Sequence, residues 1–210
     1  MTLASLRSLG EALEASPNDP ILLYGEGDAF SAGLDLRALS DVDPSELTAV
    51  LERMLRLLFL HPAPVVAAVN GHAVAGGCLV AQACDLRIGK SDPSIKIGMT
   101  GVAIGIHYPP AVMRVLQHRL PKRSIEQVIL GAERHAPERA LALGLLDELA
   151  DDPIATGRER LARLAKLPRA AYASAKLALR AHALREDPDE RRRYEEATSG
   201  AWDRSLTGAD

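Results

Sequence analysis

Val65-Val66-Ala67-Ala68-Val69-Asn70-Gly71-His72-Ala73-Val74-Ala75-Gly76-Gly77-Cys78-Leu79-Val80-Ala81-Gln82-Ala83-Cys84-Asp85 is the stretch on which the reading of this chain turns. An apolar run rich in β-branched residues enters it and a helix-compatible segment leaves it. Small residues lie between. Gly76 and Gly77 leave the backbone bare where strand becomes helix, so that a ligand could touch the main chain. The unpaired N–H groups of a helix start also attract negative charge. The same glycines equally serve the close packing of a helix on a strand. Taken alone, the stretch leaves both readings open.

Working outward, 210 residues suit one domain with a sizeable core. A hydrophobic fraction of 47% beside 25% charged residues is that of an ordinary globular protein. Aromatics at 3% are too few for base-stacking platforms, and a net charge of −3 is too mild to point to a polyanion, so no nucleic-acid partner is expected. The apolar run from Pro62 to Ala83 is broken by Asn70, His72 and glycines, which argues against a membrane span. The opening residues show no basic segment followed by an apolar one, and a cytoplasmic location is expected.

Leu3, Leu6, Leu9 and Leu13 recur at helical spacing over residues 2–15, and Pro17-Asn18-Asp19-Pro20 ends that helix. Ile21-Leu22-Leu23-Tyr24 reads as a strand and residues 25–36 as a loop. Asp43-Pro44-Ser45-Glu46 predicts a helix start, with Asp43 as cap and Glu46 reaching back. Segments 85–88 and 94–97 read as strands, and 101–110 as a turn-rich loop leading into a helix. From Lys122 onward helices are predicted at 122–130, 137–143, 153–166, 169–184 and 187–198, with a last strand at 145–149. Strands alternating with helices, followed by helices, indicate an α/β architecture. The charged run Arg185 to Glu196 reads as a solvated helix face.

Several chemistries are excluded or unsupported. Gly25-Glu26-Gly27-Asp28-Ala29-Phe30 lacks the third glycine and the helix of a dinucleotide loop. No Gly-x-Ser-x-Gly elbow is present. The six histidines form no i,i+4 pair and no cluster with Cys78 or Cys84, so no metal site is predicted. His72 reads as structural and His135, just ahead of a helix, as a surface residue.

The combination of motifs says more than any one of them. Phe30-Ser31-Ala32-Gly33-Leu34-Asp35-Leu36 stands 40 residues ahead of Asn70-Gly71-His72-Ala73-Val74-Ala75-Gly76-Gly77-Cys78. Cys84-Asp85-Leu86-Arg87, Ile97-Gly98-Met99-Thr100-Gly101-Val102-Ala103-Ile104-Gly105, Leu130-Gly131 and Gly144-Leu145-Leu146-Asp147 follow in order. Over nearly its whole length the sequence resembles the enoyl-CoA hydratase/isomerase (crotonase) superfamily. The resemblance implies a spiral of β-β-α turns over residues 1–150 and a helical trimerisation region over 151–210. It implies a homotrimer or dimer of trimers, and a coenzyme A thioester as substrate with no separate cofactor. Lyase or isomerase chemistry of fatty acid metabolism would follow. Family members begin with a β-hairpin ahead of the first helix and carry a further helix at the far end.

Carried over position by position, the backbone amides of Leu34 and Gly76 become the oxyanion hole for a thioester enolate. Ser31, Ala32, Asp35, Leu36 and Arg37 become the path of the coenzyme, with Arg37 near its phosphates. Val74, Ala75, Leu79, Thr100 and Gly101 complete the substrate-binding residues that the resemblance implies. The family's two catalytic glutamates fall at Leu79 and Gly101, and neither residue can transfer a proton. His107 and Tyr108, on the loop after Gly105, are the nearest replacements. Three readings follow: an enolate-stabilising enzyme that uses another group, such as an acid-free decarboxylase with Tyr108; a weak hydratase or isomerase; or an acyl-CoA binder or structural subunit.

Overall fold

The computed structural model describes residues 1–38, 42–185 and 187–198. Helix α1 (Leu3–Ala15) precedes strands β1 (Ile21–Tyr24) and β2 (Ala29–Ser31), which lead to α2 (Pro44–Phe59). Then β3 (Val65–Val69) and β4 (His72–Val74) lead to α3 (Gly76–Ala83). Next β5 (Leu86–Lys90) and β6 (Ile97–Gly98) lead through a 3-10 turn (Gly101–Ile104) to α4 (Pro110–Arg119). Two strands and a helix thus recur in three successive turns, the spiral that the resemblance implies. The chain continues with α5 (Ile125–Gly131), α6 (Pro137–Leu143), β7 (Glu148–Ala150), α7 (Pro153–Leu164), α8 (Arg169–Arg180) and α9 (Pro188–Thr198).

The first strand of each turn enters one parallel sheet, ordered β1-β3-β5-β7, and the second enters another, ordered β2-β4-β6. Every residue of β3 is buried, as suits the inner strand of a sheet covered on both faces. Helix α7 packs across the first sheet. Leu47, Leu51, Met54, Leu55 and Leu58 of α2 are buried in the core shared with α1 and α3. No helix among the described residues is long and apolar enough to cross a membrane.

Strands β2 and β4 escape the sequence reading. Each has only three residues, too few to display a period, and each exists because it pairs with its parallel neighbour. Of segment 94–97 only Ile97 enters a strand, since Ser94 is held in a turn by the Asp92 carboxylate. The last strand begins at Glu148 rather than residue 145. Asp43 caps α2 through the amides of Ser45 and Glu46, but Glu46 pairs with Arg7 instead of reaching back. His135 is not on the surface. Its amide and carbonyl both bond to Ile97 at 2.9 Å, which draws it against β6 and leaves it 6% exposed.

Asp85, which closes the decisive stretch, ties the helical region to the sheets. Its Oδ2 accepts from Val65 N (2.8 Å), Tyr172 Oη (2.8 Å) and Lys176 Nζ (2.7 Å). Its Oδ1 lies 2.8 Å from Arg180 Nη1 as an ion pair. Lys176 also donates to the carbonyls of His61 and Ala63, and Arg180 to that of Phe59. Breaking one partner of a buried ionic cluster leaves charge uncompensated. Asp85→Asn is therefore expected to lower unfolding free energy by about 3–5 kcal/mol in urea titration. An unchanged midpoint would mean that the cluster holds nothing.

Candidate active site

Three loops leave the C-terminal ends of β2, β4 and β6, the edge of a parallel sheet where ligands commonly bind. The first carries Leu34, the second becomes α3 at Gly76, and the third is the 3-10 turn that starts at Gly101. Val74 pairs with Gly98, so the second and third loops begin side by side.

Two glycines let the first two loops meet backbone to backbone. Gly33 has φ +93°, and a Cβ there would stand 2.9 Å from Val74 O and 3.0 Å from Gly76 N. A Cβ on Gly77 would stand 2.1 Å from Ser31 O, a distance no atom pair tolerates. A Cβ built on Gly76 would lie 3.5 Å from Leu34 N. Adding the covalent lengths of residue 76, the two nitrogens are within about 6 Å of each other. One oxygen atom can bridge that span with two hydrogen bonds of about 2.9 Å each. Neither amide donates to another group among the described residues, and both residues are partly exposed.

The surrounding hydrogen bonds hold this geometry. Ser31 Oγ accepts from Gly33 N (3.2 Å), and Asp35 Oδ1 accepts from the amides of Arg37 and Ala38 (3.2 Å each). Ser31 and Asp35, expected on the coenzyme path, thus shape the loop itself. Met1 N donates to Gly33 O, and Asp35 N donates to Met1 O at 2.9 Å. Because the carbonyl and N–H of one trans peptide point oppositely, anchoring Gly33 O turns the Leu34 N–H away from the Met1 nitrogen. The Met1 methyl also lies against Gly76, 3.0 Å from where its Cβ would be. Sequence reasoning missed this clamp, which spans 32 residues and carries no local signal.

Ala75, at the cap of α3, has φ +50° and ψ −118°, a conformation that costs a non-glycine residue about 1–3 kcal/mol. Its amide is tied to Gly98 O at 2.8 Å. This strained residue immediately precedes the Gly76 amide.

At the third loop a bulky residue takes the space that Gly101 leaves empty. A Cβ on the buried Gly101 would fall 2.6 Å from Tyr108 Oη and 2.8 Å from its Cζ. Gly101 N donates to that hydroxyl at 2.9 Å. The phenol therefore accepts from main-chain N–H and keeps its own proton to give. Burial pushes its pKa up, with the Gly101 amide opposing, so it is a neutral donor at ordinary pH. Nothing in the sequence signals that residue 108 fills the side-chain space of residue 101.

The remaining predicted residues are placed as follows. Leu79 is 3% exposed and packs in the core. Thr100 caps the 3-10 turn without a side-chain bond. Val74 is partly exposed, and Ala32, Leu36 and Arg37 lie on the outer part of the first loop. His107 is exposed and lines a groove of about 370 Å³ with Tyr108; neither Leu34 nor Gly76 is among that groove's lining residues. His72 is exposed, and its Nδ1 accepts from Lys96 N, which supports the structural reading. Cys78 is fully buried, which pushes its thiol up to about 12 and rules it out as a nucleophile at neutral pH.

A family model described as enoyl-CoA hydratase/isomerase matches residues 1–200. The chain belongs to the enoyl-CoA hydratase/isomerase family. A putative enoyl-CoA hydratase of Thermus thermophilus is 36% identical over 159 residues, which cover 71% of this chain and 60% of that protein. Human mitochondrial enoyl-CoA delta isomerase 1 is 33% identical over 158 residues, covering 71% of this chain and 52% of that protein. The chain thus spans only about half to three-fifths of the length of these curated relatives. The crystal structure of human mitochondrial delta3-delta2-enoyl-CoA isomerase superposes with a TM-score of 0.88 at 25% identity, over 99% of this chain and 86% of that one. An enoyl-CoA hydratase from Mycobacterium ulcerans gives 0.77 at 29% identity, over 94% and 87%. The family fold is thereby shown.

Gly77→Ala should force the first loop off α3 and destabilise the protein by about 1–3 kcal/mol in urea titration. An unaltered midpoint would mean that the loops do not meet as described.

Proposed function

We propose that this chain binds an acyl-CoA thioester with its carbonyl oxygen on the amides of Leu34 and Gly76, and stabilises the enolate formed there without a carboxylate base. The observation that supports this is the Tyr108 phenol standing in the side-chain space of Gly101, on the loop after β6, while the loops after β2 and β4 bring two main-chain donors within reach of one atom. Fixed amides meet developing charge without reorganising, and one such donor is typically worth about 100- to 1,000-fold in rate.

The reaction this suits best is decarboxylation of a β-carboxyl thioester. The bond from Cα to the carboxylate breaks and CO2 leaves. Its electron pair enters the enolate, and the negative charge comes to rest on the oxygen between the two amides. No base is needed to begin. Tyr108 then donates its hydroxyl proton to Cα and is reprotonated from water. Hydration would require an acid and a base to place water across a double bond, and Leu79 and Gly101 supply neither.

The expected result is CO2 release from methylmalonyl-CoA, with hydration of crotonyl-CoA far below about 10 per second, an ordinary enzymatic turnover. Tyr108→Phe should slow CO2 release by about 100-fold or more. Unchanged release in that variant would remove Tyr108 from the mechanism, and rapid crotonyl-CoA hydration would overturn the reading.

A further inference from the structure

The ring of Tyr108 has two sides. Its hydroxyl faces Gly101, while the residue also borders the groove that runs between the start of α4 and α9. His107, Arg114, Gln117, Glu190, Arg193 and Tyr194 are among the residues that line that groove. A groove for a hydrocarbon tail would be lined mainly by aliphatic side chains. Most residues lining this one carry a charged or polar group, set among the apolar surface of Pro110, Met113 and Ala197.

Its charges do not cancel. Arg114 is paired with Glu190. Arg193 makes no hydrogen bond or ion pair among the described residues. It contributes only a lesser part of the field at Asp187, whose carboxyl is held below its ordinary value first by the amides of Glu190 and Asp189. His107 likewise has no hydrogen bond among the described residues. One unengaged guanidinium, a fork suited to a carboxylate, therefore remains in the groove with an unengaged imidazole.

Resting on the thioester reading above, we infer that the groove between α4 and α9 anchors a carboxylate at the far end of the substrate's acyl group, with Arg193 as its main contact. The acyl groups it favours then carry two free carboxylates, the one that is expelled and a terminal one that stays. The anchored carboxylate is remote from the reacting carbon and is not the one expelled. Its binding energy would serve to hold the bond that breaks against Tyr108. The phosphates of coenzyme A are a second source of negative charge. The groove is assigned to the acyl end because it begins at Tyr108, beside the reacting centre.

The test is calorimetric binding to the full chain of succinyl-, glutaryl- and adipyl-CoA, each paired with butyryl-, valeryl- or hexanoyl-CoA of equal length. Both members of a pair carry the same phosphates, so their affinity ratio isolates the terminal carboxylate. At least one dicarboxylic thioester should bind about tenfold more tightly than its partner, the worth of one charged hydrogen bond. Arg193→Glu should bring that ratio to about one, and Arg193→Lys should restore most of it. Ratios near one at all three lengths overturn this inference alone. So does a ratio that Arg193→Glu leaves unchanged because both members weaken equally, which assigns Arg193 to the coenzyme phosphates. Failure of every thioester to bind overturns the underlying reading as well.

Discussion

The site depends on the contact of two loops with no side chain between them. Gly33 and Gly77 let the backbone after β2 lie directly on the start of α3, where a methyl group on either would meet main-chain atoms. Everything chemical follows from that closeness. An amide cannot be moved by changing its own side chain, so its direction is set by neighbours. Here these are the Met1 clamp on Gly33 and Asp35, the Ser31 hydroxyl on Gly33 N, and the strained Ala75 held by Gly98. Strain of this kind persists only where the surroundings over-determine it, and it gathers at functional sites.

The chain keeps the family's fold, and its third loop closes on itself. The Tyr108 phenol occupies the volume that a side chain at residue 101 would need and satisfies the Gly101 amide. A carboxylate at residue 101 would collide with that ring. A neutral proton donor therefore fills that volume. Farther out, Asp85 anchors α8 through Tyr172, Lys176 and Arg180, and so ties that helix to the start of β3 at Val65.

What the sequence disclosed followed physical scale. Long periodic segments, such as α1 with its leucines and α2 with its proline and aspartate start, were readable because the pattern repeats. Leu34 and its pairing with Gly76 came only through the resemblance to the family, whereas the bend at Gly76 was readable through its glycines. Strands β2 and β4 were not, because three residues hold no period and only pairing makes them strands. The burial of His135 was hidden for a related reason, since a two-bond bridge to Ile97 leaves no local trace. The filling of residue 101's space by residue 108 depends on a loop returning on itself. No spacing rule encodes that.

The central claim is that one thioester oxygen is received by two main-chain hydrogens. A crystal structure of the full chain with a non-decarboxylating acyl-CoA thioester decides it most directly. The account predicts the carbonyl oxygen at about 2.7–3.2 Å from both Leu34 N and Gly76 N. A thioester bound with its oxygen on neither amide would contradict it.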